Sequence, residues 1–556
     1  MKILEKYTQN ELYQTILDMV AIPSITTHAE EERRIARYIY DKLGEEPYFK
    51  DHQEDLRMVP IEDDPLERVF SFAIVRAKKP TSKTIILTGH MDVVDTTPCG
   101  TLAPWAFNPV EYTERLAAVS IPENARQDLE TGEWLFGRGI ADMKGGLAAG
   151  LQLTREVAHT RRSDVNIIYL AVPDEENNSA GMRAASKFLE EYARENDLSY
   201  LACIDLEPTF ATNGMSTPSI YLGTIGKVNT FFYSRGKESH VGEYFEGFSA
   251  TPIMSYVNLA LEGNPFYADK LKGQLYPPTV AMRQTDLRQE YSATTVSKGF
   301  AFYSHLTATK MPSEILSEVM GVASRAANEA VLHYDNNLSI FHQKGGITPL
   351  NSWKPTVLSY EKLETLTSER LSEHAFEAFM EDALAAAGPD ADERERASSV
   401  IDNMVRLCML EPPVIVTGFL PPWYPHRTNE GVSDGEIIVA DAANCVVEKA
   451  QAEYGLTLDV RPLFEGISDL SYCGFQGPRE ELEVFARNMP GWGRIYSLPL
   501  DALKKLNIPV ISFGPHGRDA HSNTERIHLP YALDVFPNLL RLLVNTIVEK
   551  HIDLKQ

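Results

Sequence analysis

The sequence predicts an α/β protein built on an open sheet, and three observations carry that expectation. Apolar runs of strand length recur at Thr84–Leu87, Val165–Val172 and Leu201–Ile204. Each is followed at once by a polar segment: Thr88-Gly89-His90-Met91-Asp92, Pro173-Asp174-Glu175-Glu176 and Asp205-Leu206-Glu207-Pro208-Thr209. Stretches of helical spacing, such as Met143–His159, alternate with them, as in βαβ units. Ligands of such sheets bind beyond the carboxyl ends of the strands. His90, Asp92, Glu175, Glu176 and Glu207 should therefore meet in one crevice. Asp142 should join them from the turn Gly137-Arg138-Gly139-Ile140-Ala141-Asp142-Met143-Lys144-Gly145-Gly146. One imidazole and five carboxylates would repel each other unless cations were present. His with carboxylates suits zinc.

The 556 residues imply several domains, at ~100–200 residues each. With 43% hydrophobic and 24% charged residues the chain has the composition of a soluble globular protein. Lys and Arg total 53 against 78 Asp and Glu, a net charge of -25, which argues against nucleic acid or an anionic membrane as partner. The N-terminal stretch Met1–Val20 mixes charged residues through its apolar ones and does not read as a signal peptide. No uninterrupted apolar run approaches the ~20 residues that span a bilayer. The five cysteines (Cys99, Cys203, Cys408, Cys445, Cys473) are scattered, odd in number and free of C-x-x-C, the usage of a reduced cytoplasmic protein.

In chain order, Glu11–Ala21 and Glu30–Leu43 have helical spacing, and Phe70–Val94 supplies two strands. Asp95–Gly132, with its Pro, Gly and Asn, reads as a loop excursion carrying Trp105 and Phe107. Beyond Glu207 the character changes. Ile220–Ser234 reads as a strand, Ser249–Leu261 as a helix, Gly299–Thr307 as a strand and Ser313–Leu332 as a helix. Thr348–Glu411 is largely helical (Glu361–Ala387, Asp392–Leu410). Pro413–Gly418 is a further strand, and Pro421, Pro422 and Pro425 mark a linker. Gly435–Tyr454 is a helix, Leu456–Arg461 a strand, and Tyr531–Val548 an amphipathic closing helix. There is no internal repeat.

The motifs G-H-M-D-V-V, W-A-F-N-P, E-W-L-F-G-R-G-I-A-D-M-K-G-G, P-D-E-E, D-L-E-P-T and F-G-P-H-G-R-D-A-H-S-N-T-E span both ends of the chain. They resemble those of the M20 family of dinuclear zinc peptidases and amidohydrolases (carboxypeptidase G2, aminoacylase and desuccinylase). Length and the wording P-D-E-E-N-N and D-L-E-P-T resemble the long-chain arginine-utilisation branch. The resemblance implies a catalytic domain with a mixed central sheet flanked by helices, formed by residues 1–222 and 426–556. It also implies an inserted α+β lid or dimerisation domain at 223–425, in which 348–411 is an extra helical insertion. It implies two Zn2+ per chain, replaceable by Co2+ or Mn2+, with Asp142 as the bridging carboxylate. His90 and Glu207 complete one ion's ligands, Glu176 and His521 the other's. Asp92 orients His90 by accepting its second ring N–H, and Glu175 is the general base toward a bridging water. His240, in Gly236-Lys237-Glu238-Ser239-His240, serves substrate or oxyanion from the lid, often across a homodimer.

Each residue has a plainer reading. Glu175-Glu176 alone would be a solvated loop, Asp142 a helix N-cap, His521 a surface histidine and His240 a turn cap. Asp174 is expected to cap its turn. His516 and His528 flank His521, but A-H-S-N-T-E selects His521. The family's Pro after H-x-D-V-V is Asp95 here, its G-S-x-G is Asn177–Gly181, and its lid D-x-R reads Tyr303-Ser304-His305-Leu306. His240 and Arg427 remain the candidates for substrate contact. The expected reaction is hydrolysis of an amide C–N bond in a small peptide-like or N-acyl amino acid. The alternatives are another C–N bond (ureido or succinyl) in arginine-related catabolism, or a non-catalytic binding descendant.

Overall fold

A computed structural model describes residues 6–210, 217–288 and 290–553. The chain forms two compact units. The first comprises 1–225, 427–476 and 499–556, the second 226–426 and 477–498. The segment 477–498, read from sequence as part of the first domain's closing half, packs in the second unit, where its helix Arg479–Arg487 lies against Pro312–Gln343.

The first unit holds an eight-stranded mixed sheet. Its order is Leu56–Pro60, Val69–Val75, Asn166–Val172, Lys83–His90, Ser199–Asp205, Val510–Ser512, Ser219–Tyr221, Asp459–Arg461. Asn166–Val172, Lys83–His90, Ser199–Asp205 and Val510–Ser512 run parallel. Their continuous apolar sequences follow from burial on both faces. The core gathers Ile85, Leu87, Ile167 and Ile204 from the strands, with Leu147 and Leu151 from the helix Gly145–Thr160. Gly146 permits that packing: a Cβ there would lie 2.0 Å from the Leu206 carbonyl oxygen. The closing helix segment Tyr531–Ile552 is long and apolar enough to cross a membrane, and 61% of its apolar window is buried inside the fold.

One sequence expectation needs correcting here. Asp95–Gly132 is helical at Thr97–Trp105, Pro109–Leu116 and Glu123–Thr131 rather than a loop. Pro98 and Pro109 sit in first turns, where no amide is needed, and Tyr112, Leu116 and Ala125 pack with Trp134 and Phe136. Trp105 joins that packing under the Arg115 guanidinium, 3.8 Å away.

The second unit is a five-stranded sheet of order Val280–Asp286, Lys298–Thr307, Gly226–Arg235, Val414–Tyr424, Thr356–Ser359. The strand Val414–Tyr424 runs on through Pro421 and Pro422, which the sequence had suggested as linker. The neighbouring edge strand pairs only as far as Thr417, so beyond it no ladder donor is required on that side. One face is covered by Thr251–Leu261 and Pro312–Gln343, burying Ile253, Val257, Val319 and Phe232. The insertion covers the other with three helices, Tyr360–Ser368, Glu373–Ala385 and Glu393–Leu407, instead of the expected two. Leu363, Met380, Val400, Ile401 and Met404 pack there on Phe231 and Tyr233. Each such side chain contributes ~1.5–3 kcal/mol when buried, which holds the insertion on the sheet.

His305 is buried in this unit between the hydroxyls of Thr230, 2.8 Å, and Thr279, 3.0 Å. Burial, helped by Lys310, pushes its pKa down to about 3. The folded value lies below the unfolded one, so the neutral ring's stabilisation is complete above pH ~6.5 and fades as pH falls toward 3. On this term alone acidification below pH 6.5 should cost about 1 kcal/mol per pH unit. The thermal midpoint of His305→Gln should therefore fall less than the wild type's between pH 7 and pH 5. An equal fall in both would remove His305 from the acid response.

Candidate metal centre

Four parallel strands deliver the site. His90 is the last residue of Lys83–His90, paired in register with Val172. Glu175 and Glu176 follow Val172 in the turn to the helix Ala180–Asn196, Glu207 follows Ser199–Asp205, and beyond Val510–Ser512 His521 lies in the loop between the short strands His516–Arg518 and Arg526–His528. Asp142 sits in an irregular helical turn, Ile140–Lys144, entered through Gly139 at φ 74°.

In this cluster three groups of ligand atoms come within 4.8 Å of one another: His90, Asp142 and Glu207; His90, Glu175 and Glu176; and Asp142, Glu176 and His521. Asp142 spans the two ends of the cluster. Its Oδ1 is 3.0 Å from His90 Nε2, and its Oδ2 is 3.3 Å from His521 Nε2. Glu207 Oε1 lies 3.3 Å from the same His90 nitrogen, and Glu176 Oε1 lies 3.1 Å from the same His521 nitrogen. Each imidazole thus has its own glutamate, and the two share one aspartate.

The tautomer of His90 is set from behind. Its Nδ1–H donates to the backbone carbonyl of Asp92, 2.9 Å, which leaves Nε2 facing the carboxylates. The expectation that the Asp92 side chain takes this proton is corrected: that carboxylate is 3.7 Å from Nδ1 and accepts instead the backbone N–H groups of Glu175, 3.1 Å, and Glu176, 3.2 Å. Asp92 thereby holds the glutamate turn against the histidine strand. Asp174 caps this turn as expected, accepting the Ala180 amide and pairing with Arg68.

The electrostatics ask for cations. Burial and then the neighbouring carboxylates push Glu175 and Glu207 well above the ordinary carboxylate range, with His90 opposing. Burial lowers the His90 pKa, but hydrogen bonds to Asp142 and Glu207 raise it well above normal. Those to Asp142 and Glu176 carry His521 to about 10. Buried carboxylates gathered around imidazole nitrogens that hold protons when no cation is there have the donor chemistry of a divalent metal site. The residues present fit two ions, with Asp142 common to both.

Sequence reasoning missed the support beneath Asp142. Glu525 accepts the Asp142 and Ala141 amides at 3.3 and 3.2 Å and pairs with the buried Arg138 at 2.5 Å. Arg138 also donates to the His521 carbonyl, 3.2 Å, and to the Asp95 carbonyl, 3.2 Å. Both residues stood inside the quoted motifs, as the Arg of G-R-G and the last Glu of S-N-T-E. His516 and His528 pack around Trp134, away from the cluster.

Arg427 is corrected. Its guanidinium is fully buried, donating to the carbonyls of Thr428 and Ile508 and facing Glu436 at 3.6 Å. It stitches the first unit together and presents nothing to a substrate. His240 belongs to the second unit and is exposed, with Nδ1 accepting the Gly242 N–H at 3.2 Å. Its turn-capping reading is therefore realised. The neutral ring then carries its proton on Nε2.

The sequence profile of Peptidase family M20/M25/M40 matches residues 86–549. The chain is 33% identical over 546 residues to Uncharacterized protein YqjN of Bacillus subtilis, covering 98% of this chain and 97% of that one. It is 26% identical over 534 residues to Protein RocB of the same organism, covering 94% and 92%. The fold superposes on the M20 family metallo-carboxypeptidase Sso-CP2 from Sulfolobus solfataricus with TM-score 0.52 at 13% identity, covering 97% of this chain and 100% of that one.

Proposed function

The chain belongs to Peptidase family M20/M25/M40, and from that membership we propose that it is a two-zinc hydrolase cleaving an amide C–N bond of a small peptide-like or N-acyl amino acid. The observation that carries this is the shared aspartate: one carboxylate facing two histidines, each paired with its own glutamate. Zinc bound there would polarise the scissile carbonyl and lower the pKa of an attacking water. The protein's own part is positional. Asp92 aligns both glutamates through their backbone amides, and Glu175 accepts the water's proton and returns it to the departing amine. Glu175 is buried beside His90, outside the two pairs that flank Asp142, a position that suits that work.

Purified protein loaded with zinc and screened against N-acyl amino acids, dipeptides, succinyl and ureido compounds tests the proposal. Amide hydrolysis is expected. Hydrolysis of ureido or succinyl substrates alone would favour the arginine-related reading, which the full-length likeness to Protein RocB supports. Turnover of none by fully metallated protein would favour a binding descendant. The free cysteines accord with a cytoplasmic setting.

We also propose that His240 donates its Nε2–H to the developing oxyanion from the second unit, and that the chain dimerises through that unit. The insertion adds its strand beside Val414–Tyr424, at the opposite edge from Val280–Asp286, whose Val280 and Met282 are exposed. That edge is therefore open to a second copy. His240→Ala should leave metal content and folding intact and lower kcat more than it alters KM, because the donor acts in the transition state. Mixing His240→Ala with Glu175→Gln after subunit exchange decides the geometry. Recovered activity places the histidine across a dimer, and no recovery keeps it in its own chain. An unimpaired His240→Ala enzyme removes it from the reaction.

A further inference from the structure

One step deeper on the strand that leads to Glu207, a second group of buried oxygens has no assigned task. Asp205 pairs in register with Thr88 on one neighbouring strand and with Ser512 on the other, so the three side chains share one face of the sheet. The turn Asp469–Tyr472 adds Asp469 and Ser471. All five residues are at most 2% exposed. Among the described residues, neither the four carboxylate oxygens nor the hydroxyls of Thr88, Ser471 and Ser512 make a hydrogen bond of normal geometry. The Ser468 hydroxyl and the backbone amides of Leu206 and Glu207 stand beside Asp205, and the Ser179 hydroxyl beside Asp469, each favouring the ionised carboxylate.

This is a costly arrangement as it stands. Burial and then the facing Asp205 push Asp469 well above the usual carboxylate range. Two divalent ions in the neighbouring centre would be balanced by Asp142, Glu175, Glu176 and Glu207 alone, so they supply no cation to these two carboxylates. No thiolate competes as a ligand, because the hydrogen bond to Cys473 and burial push the Cys203 thiol well up. The available donors are oxygen only, two carboxylates and three hydroxyls, as hard cations require.

We propose that Asp205 and Asp469, with the hydroxyls of Thr88, Ser471 and Ser512, hold a third cation, a hard divalent ion of the calcium or magnesium class. The ion ties the strand end that leads to Glu207 to the turn Asp469–Tyr472. Through Ser179 beside Asp469 it reaches the loop that carries Glu175. Its role is to neutralise and brace the ligand-bearing strand ends rather than to touch substrate.

The proposal rests on the two-zinc reading only for its charge balance, and one sample tests the two separately. Zinc-saturated full-length protein is equilibrated with Ca2+, Mg2+ or Mn2+, desalted and analysed for every metal. One equivalent of the added ion should remain beside the zinc and raise the thermal midpoint. Asp469→Asn should lose that equivalent while its zinc content matches the wild type. Ser512→Ala keeps both carboxylates and should bind the added ion ~10-fold more weakly, a readout that survives if the aspartate variant folds poorly. No retained ion and no change of midpoint with any of the three would overturn the site and leave a carboxyl pair sharing a proton. Unchanged uptake by Asp469→Asn would overturn the ligand assignment. A low zinc count is scored apart, against the two-zinc reading alone.

Discussion

Glu175→Gln should take up metal as the wild type does and lose ~10²–10⁴-fold in turnover, the usual worth of a general base. Gln matches Glu in shape, and its amide can still hydrogen-bond a water, but it cannot accept the proton. The turn should survive the change, because what fixes it is backbone. Asp92 accepts the Glu175 and Glu176 amides, and Asp174 caps the following helix through the Ala180 amide. None of these uses the Glu175 carboxylate. The loss should fall on kcat, since proton transfer belongs to the transition state. Metal analysis of the same preparation separates this outcome from simple ligand loss. A variant retaining both metals and near-wild-type turnover would transfer the base role elsewhere.

The residues of the cluster were legible in the sequence because a parallel sheet turns a one-dimensional pattern into a place. An apolar run ending in His90, another ending before Glu175 and a third ending before Glu207 must bring their polar tails to one edge once the strands align. What could not be read was the choice of atom. The sequence pairs Asp92 with His90, but the backbone carbonyl rather than the carboxylate takes the imidazole proton. That depends on how the chain turns after His90. Arg427 shows the same limit from the other side. A lone arginine near a domain junction looks available, and only the fold shows its guanidinium filled by two carbonyls and Glu436. The helices of Thr97–Thr131 were obscured by Pro and Gly. These residues mark breaks in sequence, but here they begin and end three short helices.

Asp142→Ala should abolish binding of both metals, a larger effect than removal of any other single ligand. Its two oxygens face different histidines, 3.0 Å from His90 and 3.3 Å from His521, so one truncation strips a ligand from each position. His521→Ala, by contrast, takes a ligand only from the side of Glu176 and should leave the His90–Glu207 side occupied. The protein should still fold without Asp142. The Arg138–Glu525 pair beneath it binds the backbone amides of Ala141 and Asp142 and the carbonyl of His521 rather than the Asp142 carboxylate. Although burial opposes it, hydrogen bonds to His521 and His90 hold the Asp142 carboxyl below its usual range, so the metal-free variant should be less heat-stable than metal-stripped wild type, and added zinc should raise the wild type's midpoint but not the variant's. Asp142→Asn keeps an oxygen at each position with less charge, and its metal content should fall between the two. An Asp142→Ala protein that retains two equivalents of zinc after desalting would show that the aspartate does not bridge, and a single retained equivalent would assign it to one ion only.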